Sequence, residues 1–111
     1  MTRSKFFRQD GRLVGFALQG HTDLADAGTD ILCAAVSSAV YLAANTITDV
    51  YGCEADITVD DGQMSVRLSP AQATVCQPIL EGLRLHLQAL RDQYPAHIEV
   101  TILEGTSHAE H

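Results

Sequence analysis

The chain has 111 residues, 46% apolar and 19% charged, and 14 acidic against 7 basic side chains leave a formal charge of -7 at neutral pH. A sequence of this size describes one small acidic domain over residues 1–111, able to bury a core without disulfides or a structural metal and too short for a second one. With no Trp, 5% aromatic residues and twice as many acids as bases, it lacks the positive field and stacking platform of a nucleic-acid binder, so direct nucleic-acid binding is not expected. Cys33, Cys53 and Cys76, odd in number and widely spaced, fit neither a disulfide framework nor a zinc ribbon, and no metal or other cofactor is called for. The basic N-terminus reaches Arg8 directly after Phe6-Phe7, so no apolar run of signal-peptide length develops there, and a cytoplasmic protein is expected. Ile31 to Thr48 carries no charge, but its Ala, Ser and Thr content suits a helix buried between protein layers better than a membrane span.

In chain order, Asp10-Gly11 is a hairpin turn signal between two strands, the second alternating Val14, Phe16 and Leu18 on one face, with Phe6 or Phe7 packing opposite. A polar loop from His21 to Thr29 follows, bracketed by Gly20 and Gly28 and able to move. From Asp30 to Tyr51, Ile31, Leu32, Ala35, Val36, Ala39, Val40, Ala43 and Ile47 recur at helical spacing, and Gly52 gives the stop; small residues almost all round predict a central helix. A second hairpin turns at Asp61-Gly62, between Ile57, Val59 and Met64, Val66, Leu68. Ser69-Pro70-Ala71-Gln72 has the form of a capping box, opening a helix to about Tyr94 that either kinks at Pro78 or begins there. Ile98, Val100 and Ile102 alternate as a last strand before a polar tail over residues 105–111. The order ββαββαβ predicts an α/β (α+β) fold, a mostly antiparallel sheet packed with two main helices.

Cys33 falls at about the third or fourth position of the first helix if Thr29 or Asp30 caps it, where free N–H groups and the helix dipole favour a thiolate. His21 stands at the far end of the bracketed loop, which can return it to the thiol, and a Cys–His pair is the minimal unit of thiol nucleophilic catalysis. Asp30 lies one turn before Cys33 and Ser37 one turn after it, so Asp30 is placed to orient His21 and Ser37 to bond to Asp30 or the site. The same residues also read as a small core cysteine, a helix cap and a turn histidine, and Asp23, Asp26 and Asp30 would oppose the dipole at the thiol; composition and spacing do not decide. Cys53 and Cys76 read as structural, His86 and His97 as partly exposed, and His108 with His111 as a tail pair too small for a zinc site.

Gly20-His21-Thr22 and the run Gly28-Thr29-Asp30-Ile31-Leu32-Cys33-Ala34-Ala35-Val36-Ser37 resemble the signature of the ribosomal-processing cysteine protease family, Prp. The likeness extends over essentially the whole chain, including Ile79-Leu80-Glu81-Gly82-Leu83 and Tyr94-Pro95. The resemblance implies an endopeptidase with Cys33 as nucleophile and His21 as base, Asp30 and Ser37 in support, and Gly20 as a hinge of the substrate loop that carries Thr22, Asp23, Asp26 and Gly28. Thr22 stands where the family usually has Ala, which bears on loop geometry and not on the dyad. The resemblance further implies a homodimer whose substrate is the N-terminal extension of the large-subunit ribosomal protein numbered twenty-seven, cut after paired Phe residues ahead of a Lys-containing stretch. Two other classes share this sequence pattern: a non-catalytic dimeric module for ribosome assembly, and a thiol hydrolase acting on a small molecule.

Overall fold

The strand signals are built from alternation, and the sheet they form has the order β3-β4-β2-β1-β5. In the computed structural model, which describes residues 1–20, 27–60 and 62–105, with the backbone alone for 27–30, β1 (Thr2–Gln9) and β2 (Arg12–Gln19) form the first hairpin. α1 (Ala27–Asn45) runs into a π-helical turn (Thr46–Val50), and β3 (Asp56–Asp60), β4 (Gln63–Arg67), α2 (Pro70–Gln93) and β5 (Ile98–Gly105) follow, giving the expected ββαββαβ. Three ladders are antiparallel; β5 closes the sheet parallel to β1.

Asp10 and Gly11 both take positive φ, 54° and 81°, as a tight hairpin turn requires. The register puts Phe6 opposite Phe16 with ring centroids 6.1 Å apart, and both rings lie in the core. Phe7, on the other face, lies under the Arg67 guanidinium at 3.9 Å. A bulge after Phe7 makes Val14 the extra residue of β2, which is how Leu13 and Val14, neighbours in sequence, are both buried. Leu13 keeps its backbone paired through Gln77 of α2: the Gln77 side-chain amide donates to the Leu13 carbonyl at 2.6 Å, and the Leu13 N–H donates to Gln77 Oε1 at 3.1 Å. Arg3–Glu99 and Arg8–Glu104, each a directly opposed pair of the β1–β5 ladder, add ion pairs along that edge.

Ser69 caps α2, its Oγ accepting from the Gln72 N–H at 3.3 Å, with Pro70 at the first helical position. The helix starts there and passes through Pro78, answering the question left at that residue; the missing amide there would have served Thr74, on the exposed side of the helix. Near the end of α1, the Thr46 and Thr48 hydroxyls donate to the carbonyls of Leu42 and Ala44, and the backbone widens to π spacing, with the Tyr51 N–H on the Thr46 carbonyl at 2.8 Å.

One cluster holds Phe6, Phe16 and Val66 of the sheet together with Leu32, Val36 and Val40 of α1 and Leu80 and Leu87 of α2. Both helices therefore cover the same sheet face. The expectation of a central α1 buried between layers is corrected here: Ile31 is 72% and Leu42 65% exposed, because the helix buries one stripe, Leu32, Val36, Val40, Ala43, Ala44 and Ile47, in the core. The segment Ile31–Val50 is long and apolar enough to cross a membrane by length and composition, and a third of it is buried inside the fold.

Candidate active site

α1 begins at Ala27, before the expected capping residues, so Gly28 belongs to the first helical turn and does not bracket the loop. Counted from Ala27, Cys33 is the seventh residue of the helix and not the third or fourth. Its amide therefore lies inside the hydrogen-bonded ladder, past the free N–H groups of the first turn where the dipole is concentrated. That weakens the sequence argument from the helix start, and it shifts attention to what touches the sulfur.

Cys33 is half-buried, and its Sγ lies 3.7 Å from the Oγ1 of Thr2, the first residue of β1. Thr2, Ser4 and Phe6 alternate on the helix-facing side of that strand, all three buried. The Thr2 N–H donates to the His97 carbonyl at 2.9 Å, which fixes the strand start against the segment entering β5. Gly20, at the end of β2, has φ 138°, and a Cβ there would lie 2.6 Å from the Met1 carbonyl oxygen and 2.9 Å from the Thr2 Cα. Only glycine permits that approach. Ser37, one turn beyond Cys33 and half-buried, shares with Gly20 a cleft of about 150 Å³ walled by Tyr41, Val59 and Met64.

Thus Gly20, Cys33 and Ser37 gather where the start of β1, the end of β2 and the first half of α1 meet. Thr2, which joins Gly20 to Cys33, was missed by sequence reasoning; two hydroxyl residues on the core face of a strand were the available signal. His21, Thr22, Asp23 and Asp26 lie outside the described residues, as do the side chain of Asp30 and the tail residues His108 and His111.

The other two cysteines are buried and form no disulfide, but their thiols share a hydrogen bond with the Sγ atoms 3.4 Å apart. Burial first, and the hydrogen bond with Cys53 second, push the Cys76 thiol up to about 12. A thiol so disposed stays protonated and inert, in keeping with a structural role. Of the three cysteines Cys33 is the one that solvent reaches. Among the described residues no group of three or more His, Cys, Asp or Glu side chains is placed to hold a metal ion, and His86 and His97 are exposed.

The sequence profile of cysteine protease Prp matches residues 1–99. The chain belongs to the cysteine protease Prp family. The ribosomal processing cysteine protease Prp of Bacillus subtilis strain 168 is 29% identical over 98 residues, an alignment covering 83% of this chain and 88% of that one. The counterpart from Staphylococcus aureus strain Mu50 is 27% identical over 93 residues, covering 82% and 88%. Among solved structures, SMU.848 from Streptococcus mutans superposes with a TM-score of 0.85 at 26% identity, covering 95% of this chain and 96% of the other. Prp from S. aureus in complex with a covalently linked product peptide gives 0.82 at 25% identity, covering 93% and 100%. The same S. aureus protease in complex with a substrate peptide has the same fold, with a TM-score of 0.83 at 24% identity over 93% and 100% of the two chains. This single-sheet α+β protein is therefore a Prp-type protease in family and in architecture.

Proposed function

We propose that this Prp protease cleaves the N-terminal extension of the large-subunit ribosomal protein numbered twenty-seven, using Cys33 as nucleophile and His21 as general base. The observation that carries the reading is Cys33 itself: it lies within the span that matches the family, in the run that resembles the family motif, and of the three cysteines it is the one not buried. The S. aureus relative with a covalently linked product peptide supports covalent chemistry on a peptide in this fold.

In the reaction, His21 takes the Cys33 proton and the sulfur attacks the carbonyl carbon of the scissile bond. As the tetrahedral intermediate collapses, the C–N bond breaks and the imidazolium gives its proton to the leaving amine. Water, deprotonated by His21, hydrolyses the resulting thioester and returns the thiol. Asp30 orients the imidazole, Ser37 supports the site, and Gly20 is the hinge of the loop that carries Thr22 together with Asp23 and Asp26; the carboxylates of the two aspartates attract the basic flank of the substrate. The apolar outer face of α1, with Ile31 and Leu42 exposed and a groove of about 430 Å³ against α2, supports a homodimer, and ribosomal processing supports a cytoplasmic location.

The test is cleavage of a peptide carrying the Phe-Phe junction and its Lys-containing flank. Cys33→Ala, Cys33→Ser and His21→Ala are expected to lose cleavage while melting like the parent protein. Retained cleavage by either cysteine variant refutes the assignment.

A further inference from the structure

The geometry points to Thr2 as a positioning residue for the nucleophile: its hydroxyl holds the Cys33 sulfur at the seam between β1 and α1. The inference rests on the reading of Cys33 as nucleophile and adds a residue to it. Thr2 is 6% exposed, and a buried hydroxyl needs a partner; the Cys33 Sγ at 3.7 Å is the partner it meets. Three constraints fix where that hydroxyl points. The Thr2 N–H is held by the His97 carbonyl at 2.9 Å, the strand continues in register with Ile98 of β5, and Gly20 closes on the Thr2 Cα from β2. The strand start that carries the hydroxyl is thus held from three sides, by β5, by β2 and by the segment before β5. An S–H or S⁻ group facing this hydroxyl has one favoured orientation, with Oγ1 accepting from the thiol or donating to the thiolate. When the proton leaves for the base, the hydroxyl rotates to donate, and the sulfur is kept from swinging into the core beside Leu32 and Val36.

The consequence is that one hydroxyl sets how much of the time Cys33 is aimed for attack. Thr2→Val removes the hydroxyl while keeping the branched shape of the side chain, and Thr2→Ser removes the methyl while keeping the hydroxyl. Two readouts are taken on the purified protein: the rate of Cys33 alkylation by iodoacetamide, followed by mass spectrometry without any substrate, and kcat and KM on the Phe-Phe peptide. Thr2→Val is expected to slow alkylation by about threefold to tenfold, the rate equivalent of one hydrogen bond, and to lower kcat by a similar factor with KM unchanged. Thr2→Ser is expected to restore both. Alkylation at the parent rate in Thr2→Val overturns the inference, and so does equal slowing in both variants, which would assign the effect to packing. Cleavage surviving in Cys33→Ser would instead defeat the assignment of Cys33 as nucleophile, while the alkylation comparison would still decide whether the Thr2 hydroxyl orients the Cys33 sulfur.

Discussion

Replacing Gly20 by Ala tests the junction that brings the site together. The backbone there has φ 138°, a conformation that side-chain-bearing residues avoid, and the added Cβ would stand 2.6 Å from the Met1 carbonyl oxygen and 2.9 Å from the Thr2 Cα. Both obstacles are backbone, so neither moves aside by a rotamer change. The conformational strain costs about 1–3 kcal/mol. Relieving the contact means displacing the start of β1, which also bears Thr2 and its bond to His97. Gly11→Ala is the control, because Gly11 also has positive φ, 81°, but a Cβ there meets nothing within 4 Å. In a domain of this size each kcal/mol moves the melting temperature by roughly 4 °C. Gly20→Ala is therefore expected to melt roughly 8 °C or more below the parent, and further below it than Gly11→Ala does, with Cys33 alkylation and peptide cleavage disturbed in Gly20→Ala only. Thermal melts read by circular dichroism with parallel alkylation assays make the comparison. Equal melting of the two variants, or a Gly20→Ala protein with unaltered Cys33 reactivity, would refute the claim that Gly20 is there for close approach at the site.

Gln77→Ala is expected to lower stability by about 2–3 kcal/mol in urea titration, because it leaves both backbone groups of the fully buried Leu13 without their partner. Ser69→Ala should cost about 1 kcal/mol through loss of the α2 cap, while Ser69→Asp should be close to neutral in the same assay. The Cys76 thiol, raised by burial to about 12, binds its proton more tightly folded than unfolded; its contribution is intact below about pH 9 and is lost as pH climbs toward 12. The melting temperature should fall through that window, and fall less steeply in Cys76→Ala than in the parent. At pH 8, iodoacetamide should label Cys33 in the native protein and reach Cys53 and Cys76 only after denaturation.

The strands were legible because a half-buried strand shows itself as alternation, as Val14, Phe16 and Leu18 and then Met64, Val66 and Leu68 do; which of Phe6 and Phe7 faces the core stayed open until the pairing of Phe6 with Phe16 decided it. Turn chemistry was legible for the same local reason, as Asp10-Gly11 and Ser69-Pro70 show. The centrality of α1 was misread because Ala, Ser and Thr look the same facing a core or facing solvent; the fold, not the sequence pattern, leaves Ile31 and Leu42 outside. The helix start was placed too late because Gly28 and Thr29 carry loop signals, whereas the helix extends back to Ala27. Cys33 and Gly20 stand out in the sequence through the run that resembles the family motif, whereas the Thr2 contact, thirty-one residues away in sequence, leaves no more trace than two hydroxyl residues on one face of a strand.

The position of Cys33 on α1 follows from competing demands. Leu32, Val36 and Val40 recur four residues apart and must face the sheet to complete the core. A residue one step along the helix from each is turned by about 100°, which carries Cys33 and Ser37 off the buried stripe onto its flank. A cysteine on the stripe would be sealed like Cys76, and one on the outer face, near Ile31 and Leu42, would have no fixed neighbour. The flank gives the sulfur solvent on one side and the strand start on the other. With Cys33 in the second turn, beyond the free N–H groups of the helix start, orientation has to come from the sheet, and the sheet reaches the sulfur through Thr2. The same geometry makes Gly20 necessary, since any side chain there would push the end of β2 away from the strand start that Thr2 occupies. The Cys33 sulfur is thus set beside the first residue of a hairpin and the glycine just past its end, and its position depends on how closely those two strand ends meet.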